Sequence, residues 1–205
     1  MKMHLLLIGF SCTGKTSLGQ KAFGEDTVLD SDDELRTWIG NKEGLHFDHV
    51  YEIYMKLGRD RALLLIEEAE KALVDRWADD TSPMIISLGP GFPFRDNWAR
   101  LRAISHVVLF KRLPHDIHKS MKERRNEIFV SCREAKKYDN WDVGVIVDEH
   151  QREFSQTNAI SNIQQLLNER ERYYKDNDTE VVTNNQADAL QKLRELKSAF
   201  EKGTL

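Results

Sequence analysis

Residues 4–17 constrain this chain more than any other stretch. An apolar run over residues 5–8 ends at Gly9, and residues 9–16 then match the pattern G-x-x-x-x-G-K-[ST] in full. In such a pattern the glycines let the backbone turn tightly between a strand and a helix, so that main-chain N–H groups point towards phosphate groups. The sequence therefore predicts a phosphate-binding loop that joins the first strand to the first helix.

The residue types within the loop indicate a nucleoside triphosphate and a metal ion. Lys15 would reach the β- and γ-phosphates, and the hydroxyl of Thr16 would bind Mg²⁺. The alternative is a chance match in an ordinary turn, which the flanking strand and helix patterns disfavour. The candidate nucleotide-binding residues in this loop are Gly9, Ser11, Cys12, Thr13, Gly14, Lys15, Thr16 and Ser17.

The composition of the chain indicates which classes of protein it can belong to and in which cellular compartment we expect it. The chain has 205 residues, 40% hydrophobic and 31% charged, which suits a single domain with a charged surface. Its net charge of −4 lacks the basic character of a nucleic-acid-binding protein. No apolar run is long enough to cross a bilayer. Its two cysteines cannot form a disulfide framework, so we expect a cytoplasmic protein. We also expect a monomer or a small homo-oligomer.

Apolar runs and amphipathic helical patterns alternate along the chain. This alternation predicts an α/β fold of the P-loop NTPase type, with a five-stranded parallel sheet, helices on both faces and ligands at the carboxyl ends of the strands. Residues 127–158 are irregular, and residues 143–147 fit a strand or an apolar loop. We expect strands near residues 5–8, 27–29, 84–88, 106–110 and 181–182, and helices near residues 15–23, 33–39, 48–57, 59–78, 94–104, 114–126, 159–174 and 186–202.

Two further turns follow predicted strands and would meet the loop at one edge of the sheet. In residues 30–32, Asp30 could hold Mg²⁺ through water, and Asp32 could accept the proton of a substrate hydroxyl. The alternative is that both aspartates only cap the next helix. The second turn, residues 89–91, is glycine-rich.

In order along the chain, these features resemble shikimate kinase and its relatives among the small-molecule P-loop kinases. The matching stretches are residues 9–16, 28–32, 86–91 and 169–174. The resemblance implies a kinase that uses ATP and Mg²⁺ to phosphorylate a hydroxyl of a small metabolite, expected to be anionic. Membrane and nucleic-acid partners are not expected.

The resemblance also implies roles for particular residues. The substrate-binding aspartate of the family falls on Asp32 and its Mg²⁺-linked aspartate on Asp30. The glycine-rich substrate turn falls on Gly89 and Gly91. The arginine that binds the substrate carboxylate falls on Arg170, where the alternative is a solvated helix charge.

Three departures from the family leave the acceptor open. The central glycine of the mid-chain turn is Pro90 here, and the expected helix arginine has only Arg59 and Arg61 nearby, out of register. Arg61 is kept as a candidate for substrate binding. The Arg-Pro-Leu-Leu lid signature is absent, and a longer lid or insert at about residues 115–158 replaces it, in which Arg124 and Arg125 are candidates for ATP binding.

Two alternatives to a shikimate kinase-like activity remain. The acceptor could be a sugar acid or a nucleoside monophosphate. The chain could also be a nucleotide-binding regulatory protein without turnover, although the presence of Asp30 and Asp32 speaks against this, because a pure binder needs no carboxylate on the acceptor side.

Overall fold

The computed structural model describes residues 3–89, 91–120, 123, 159–175 and 177–205. Its five strands are β1 (His4–Gly9), β2 (Val28–Asp30), β3 (Ile85–Ser87), β4 (Ser105–Lys111) and β5 (Thr179–Val182). They form one sheet in the order β2-β3-β1-β4-β5, and every neighbouring pair is parallel. The predicted five-stranded parallel sheet and the α/β class are therefore confirmed.

Helices alternate with these strands. Residues 114–120 form α6, and short 3-10 turns cover Glu25–Thr27 and Phe92–Phe94. No helix in the described part of the chain is both long and apolar enough to span a membrane. The remaining helices are α1 (Lys15–Phe23), α2 (Ser31–Glu43), α3 (Val50–Leu57), α4 (Arg59–Asp79), α5 (Trp98–Ala103), α7 (Ala159–Tyr174) and α8 (Gln186–Glu201).

The central strand β1 is buried on both faces, as expected for a parallel sheet between two helical layers. Leu6 and Ile8 pack into a core with side chains of α2, α3, α4 and α5, whereas Leu5 and Leu7 pack into a second core with side chains of α1 and α8. Because successive side chains of a strand point to opposite faces, the uninterrupted apolar run of β1 serves both cores.

The chain divides into two compact units. The first comprises Met1–Lys111 and Tyr173–Leu205 and contains the whole sheet and the glycine-rich loop. The second comprises Arg112–Arg172 and contains α6. The insert predicted at about residues 115–158 falls within the second unit, and most of it, including residues 143–147, lies outside the described residues. Its description as a lid within a single domain stays a prediction.

One helix differs clearly from its predicted bounds. A helix was expected over residues 94–104, but α5 begins only at Trp98. Pro93 lies in the preceding 3-10 turn, and Arg95 then adopts an extended conformation with ψ 143°, which interrupts a helical path. The Arg95 side chain pairs with Glu70 of α4.

Candidate active site

The glycine-rich loop connects β1 to α1 and has an unusual backbone. A Cβ atom on Gly9 would lie 2.5 Å from the carbonyl oxygen of Phe110, so only glycine permits this approach of β1 to β4. Cys12 and Gly14 both have positive φ, at 61° and 87°. Helix α1 starts at Lys15 without a side-chain cap and without an acidic residue in its first turn, so its partial positive charge is not offset there. Such a loop suits an anion.

Lys15 lies at the base of the loop. Its side chain is buried, and its Nζ atom donates to the carbonyl oxygens of Gly9 and Phe10, each at 3.0 Å. The hydroxyl of Thr13 donates to the Phe10 carbonyl at 2.8 Å and holds the turn. A buried ammonium beside the N-terminus of a helix is a strong point charge for phosphate oxygens.

The other predicted loop residues lie nearer the surface. Ser11 and Cys12 are half-buried, and Ser17 is exposed with its hydroxyl donating to the Gly14 carbonyl at 3.3 Å. Their contacts with a nucleotide stay predictions.

Three oxygen-bearing side chains meet where β1, β2 and β3 end. The Thr16 hydroxyl donates to Asp30 Oδ2 at 2.9 Å and shares a hydrogen bond of 2.8 Å with the Ser87 hydroxyl. Oxygen ligands suit Mg²⁺, which commonly takes one or two protein groups together with water and substrate phosphates. No cluster of three or more His, Cys, Asp or Glu suited to a metal occurs in the described ranges. The set fits Mg²⁺ held jointly with phosphates.

The two aspartates predicted to act at the site, Asp30 and Asp32, differ in environment. Asp30 caps α2, because its Oδ1 atom accepts from the Asp32 main-chain N–H at 2.9 Å. Capping and the contact with Thr16 therefore occur together at Asp30. Asp32 is exposed, and its Oδ1 atom would lie 3.1 Å from a Cβ on Gly89, whose N–H donates to the Ser31 hydroxyl at 2.7 Å.

An ion pair between the buried Glu70 and the half-buried Arg95, which the sequence did not predict, lies beside these residues. Glu70 on α4 is only 5% exposed, and its Oε2 atom lies 2.5 Å from both Nε and Nη2 of Arg95. A Cβ on Gly91 would lie 2.3 Å from Glu70 Oε1, so the carboxyl group packs directly against the glycine-rich turn. Burial raises the pKa of Glu70, Arg95 opposes this shift, and the charges of Asp32 and Glu67 add to it.

A sequence signal for Glu70 did exist. It follows Ile66 by four residues and precedes Leu73 by three, which places it on the apolar face of α4. An acidic residue on the buried face of a helix requires a cationic or hydrogen-bonding partner.

The charge of Glu70 acts on Tyr54 of α3, whereas Arg61 at the start of α4 lies at the surface. Burial raises the pKa of Tyr54, the Glu70 charge adds to the shift, and the Arg59 charge opposes it. Arg61, the candidate for substrate binding, instead has its Nη2 atom 2.7 Å from Glu43 Oε1, and its side chain is 51% exposed. Its role with a substrate stays a prediction that this surface pairing does not favour.

The structure does not locate the remaining candidate residues at this site. Arg170 belongs to α7 and to the second compact unit. Arg124, Arg125 and Pro90 lie outside the described residues. The roles assigned to them from the sequence stay predictions.

Comparison with known proteins shows which fold this is. No family model matches the chain. The chain is similar to the crystal structure of shikimate kinase from Bacteroides thetaiotaomicron, with a TM-score of 0.59 and 17% identity over 97% of this chain and 99% of that one. For a shikimate kinase from Acinetobacter baumannii in complex with shikimate, the TM-score is 0.61 with 16% identity over 100% and 96%. For shikimate kinase from Aquifex aeolicus, the values are 0.54 and 18% over 97% and 98%. The chain thus has the shikimate kinase-like P-loop fold that its sequence motifs predicted.

Proposed function

We propose that the chain is an ATP- and Mg²⁺-dependent phosphotransferase that moves the γ-phosphate of ATP to a hydroxyl of a small metabolite. The observation that carries this proposal is the hydrogen-bonded group of Thr16, Asp30 and Ser87, with Asp32 two residues beyond Asp30. It combines oxygen groups suited to a metal, beside the end of the phosphate loop, with a separate carboxylate in the first turn of α2 that we assign to the acceptor. A protein that only bound a nucleotide would need no such second carboxylate.

On the nucleotide side, the loop N–H groups and the N-terminus of α1 would bind the β- and γ-phosphates. Lys15 would stabilise the charge on the transferring group, since its ammonium is already held at the loop. Thr16 and Asp30 would hold Mg²⁺, which when bound offsets the negative charge of the phosphate oxygens.

On the acceptor side, Asp30 and Asp32 lie in different surroundings, and we assign them different roles. Asp30 uses Oδ1 for the helix cap and Oδ2 for Thr16, so both oxygens are engaged. Asp32 is exposed beside Gly89 and would orient the acceptor hydroxyl and take its proton. Loose phosphoryl transfer depends mainly on such positioning and on electrostatic stabilisation. The roles that the resemblance implies, substrate binding by Arg170 and ATP binding by Arg124 and Arg125, remain part of this proposal.

The test is ATP consumption by the full chain with Mg²⁺ against a panel of hydroxylated acids, sugars and nucleoside monophosphates. We expect one acceptor class to stimulate turnover, and Asp32→Asn to lower kcat by about 10²- to 10⁴-fold because the hydroxyl loses its proton acceptor. Lys15→Ala should lower kcat/KM comparably. Asp33→Asn is the matched control, because Asp33 is exposed and pairs with Arg36 on the same helix.

Two results would count against the proposal. ATP that binds tightly but is not consumed faster with any acceptor would identify a nucleotide-binding regulator. Turnover that survives in Asp32→Asn would show that another group serves the acceptor hydroxyl.

A further inference from the structure

Ser87 belongs to the hydrogen-bonded group at the end of the phosphate loop but has no role in the scheme above. Strand register brings it there, because Ser87 of β3 pairs with Asp30 of β2, and side chains opposite each other in register lie on the same face of a sheet. Thr16, in the first turn of α1, contacts both side chains. Ser87 is only 2% exposed, whereas Thr16 is half-buried. The Thr16 hydroxyl is therefore the one that a metal ion reaches more easily.

The donor and the acceptor of each hydrogen bond in this group follow from the chemistry of the side chains. A carboxylate only accepts, so the Thr16 hydroxyl donates its single hydrogen to Asp30 Oδ2 at 2.9 Å. The contact of 2.8 Å between the two hydroxyls then uses the hydrogen of Ser87, and the Thr16 oxygen is its acceptor. A hydroxyl oxygen has two lone pairs, so one lone pair of Thr16 remains for a metal ion.

The two neighbours of Thr16 together fix where that lone pair points. The Thr16 oxygen is bonded to its own Cβ, donates to Asp30 and accepts from Ser87, which occupies three of its four tetrahedral directions. Without Ser87, a single hydrogen bond would hold the hydroxyl. Mg²⁺ demands nearly ideal octahedral geometry, whereas Ca²⁺ accepts flexible arrangements of ligands. Loss of the Ser87 donor should therefore weaken the binding of Mg²⁺ more than that of Ca²⁺.

We propose that Ser87 is a positioning residue, which orients the Thr16 hydroxyl for Mg²⁺ and does not itself bind the metal. This inference rests on the proposed function, because it concerns the metal site of that phosphotransferase. Asp30 cannot take over this contact, since a carboxylate has no hydrogen to donate to Thr16. Ser87 thus contributes to the preference of the site for Mg²⁺ over Ca²⁺.

The experiment measures the Kd of ADP for the full chain by calorimetry, without an acceptor and without turnover. Each variant is titrated in excess Mg²⁺, in excess Ca²⁺ and in EDTA. We expect Ser87→Ala to raise the Kd in Mg²⁺ by about 3- to 10-fold, the effect of one hydrogen bond, and the Kd in Ca²⁺ or EDTA by less than about twofold. Ser87→Thr keeps the hydroxyl and should restore the Kd in Mg²⁺.

Three further variants separate this role from a general loss of stability. Ser105→Ala is the matched control, because Ser105 is also a buried strand serine, its hydroxyl donates to the Leu101 carbonyl at 2.6 Å, and it should leave all three Kd values unchanged. Ser87→Cys adds no methyl group and offers only a weak donor, so its Kd in Mg²⁺ should lie between those of wild type and Ser87→Ala. In a Thr16→Val background, Ser87→Ala should have no further effect, since Ser87 acts through Thr16. Circular dichroism checks that each variant is folded.

Several results would overturn the role of Ser87. These are an unchanged Kd in Mg²⁺ for Ser87→Ala, or equal losses in Mg²⁺ and in Ca²⁺ or EDTA. A further loss when Ser87→Ala is added to Thr16→Val would show that Ser87 binds the metal itself, and would overturn the role equally.

The proposed function fails by a different result. The expected pattern of Kd values, without any ATP consumption stimulated by an acceptor, would support the role of Ser87 and refute the phosphotransferase. Stimulated ATP consumption with no effect of Ser87→Ala on the Kd in Mg²⁺ would do the reverse. Binding of ADP to wild type that does not depend on a metal would overturn both.

Discussion

At the scale of single residues, Asp30 combines a structural contact and a proposed metal contact. One carboxylate oxygen caps α2, and the other accepts from the hydroxyl of Thr16. A capping residue is normally replaceable by asparagine at little cost, because the amide oxygen accepts the same main-chain hydrogen bond. A Mg²⁺ site, in contrast, needs the negative charge.

Asp30→Asn should therefore separate stability from activity. We expect the free energy of unfolding to change by less than about 0.5 kcal/mol, whereas Asp30→Ala should lose about 1 kcal/mol. Turnover of the asparagine variant should fall by about 10-fold or more, with a higher Mg²⁺ concentration needed for half-maximal rate. Urea unfolding and Mg²⁺ titrations of ATP consumption measure the two effects. Full activity at unchanged Mg²⁺ dependence would remove Asp30 from the metal site.

Local patterns explain which residues could be located from the sequence. The loop, its lysine and Thr16 form one continuous motif, so their proximity needs no knowledge of the fold. Glu70 and Arg95 are 25 residues apart on different elements, and only the packed structure pairs them. Arg61 is a second example. Its place near the start of α4 suggested a role in substrate binding, and only the packed structure shows that it pairs with Glu43 on α2.

At the scale of elements, the end of β1 must approach β4 closely for the loop to form. Gly9 pairs in register with Phe110 of β4 and has φ of 144°. The strand was predicted from its apolar run, but this approach depends on the register of two strands that lie far apart in the sequence. Residues 94–97 were assigned to a helix for a related reason, since the attraction of Arg95 to α4 is a tertiary contact.

Gly9→Ala should therefore be strongly destabilising. The added Cβ would lie 2.5 Å from a main-chain oxygen, which cannot move without disturbing the sheet. We expect a loss of about 2 to 4 kcal/mol from the clash and the unfavourable φ. Gly44→Ala is the matched control, because Gly44 has φ of 67° with nothing within 4 Å of the new atom. It should lose only about 1 kcal/mol. If urea unfolding shows the same loss of unfolding free energy for both variants, the backbone conformation of Gly9, and not the clash with Phe110, would explain the effect.

At the scale of the whole molecule, two buried titratable groups act on stability in opposite directions. His4, at the start of β1, is completely buried, and burial lowers its pKa below 6.5, while the nearby Trp77 backbone and Asp80 oppose the shift. As the pH falls, His4 therefore binds a proton in the unfolded chain before it does so in the folded chain. Stability from neutral His4 is complete above its unfolded pKa and is lost as pH falls.

Glu70 has the opposite sign. Burial raises its pKa above 4.5, so the folded chain keeps a proton that the unfolded chain releases. Its contribution to stability is present below the unfolded pKa and is lost as pH rises through the folded pKa. As the pH rises above 4.5, Glu70 therefore works against the gain in stability that neutral His4 provides on raising the pH.

These opposite signs predict how two substitutions reshape the pH dependence of unfolding. His4→Phe keeps an aromatic ring in the buried position and should flatten the rise in stability from about pH 5.5 to about pH 7.5, a rise limited to roughly 1.4 kcal/mol per pH unit for one proton. Glu70→Gln should remove the opposing contribution, which begins as the pH rises above 4.5. His46→Gln, at an exposed histidine, is the control and should follow the wild-type curve. Urea midpoints across this range provide the measurement, and wild-type and His4→Phe curves that run parallel would show that His4 is not the group whose protonation weakens the fold.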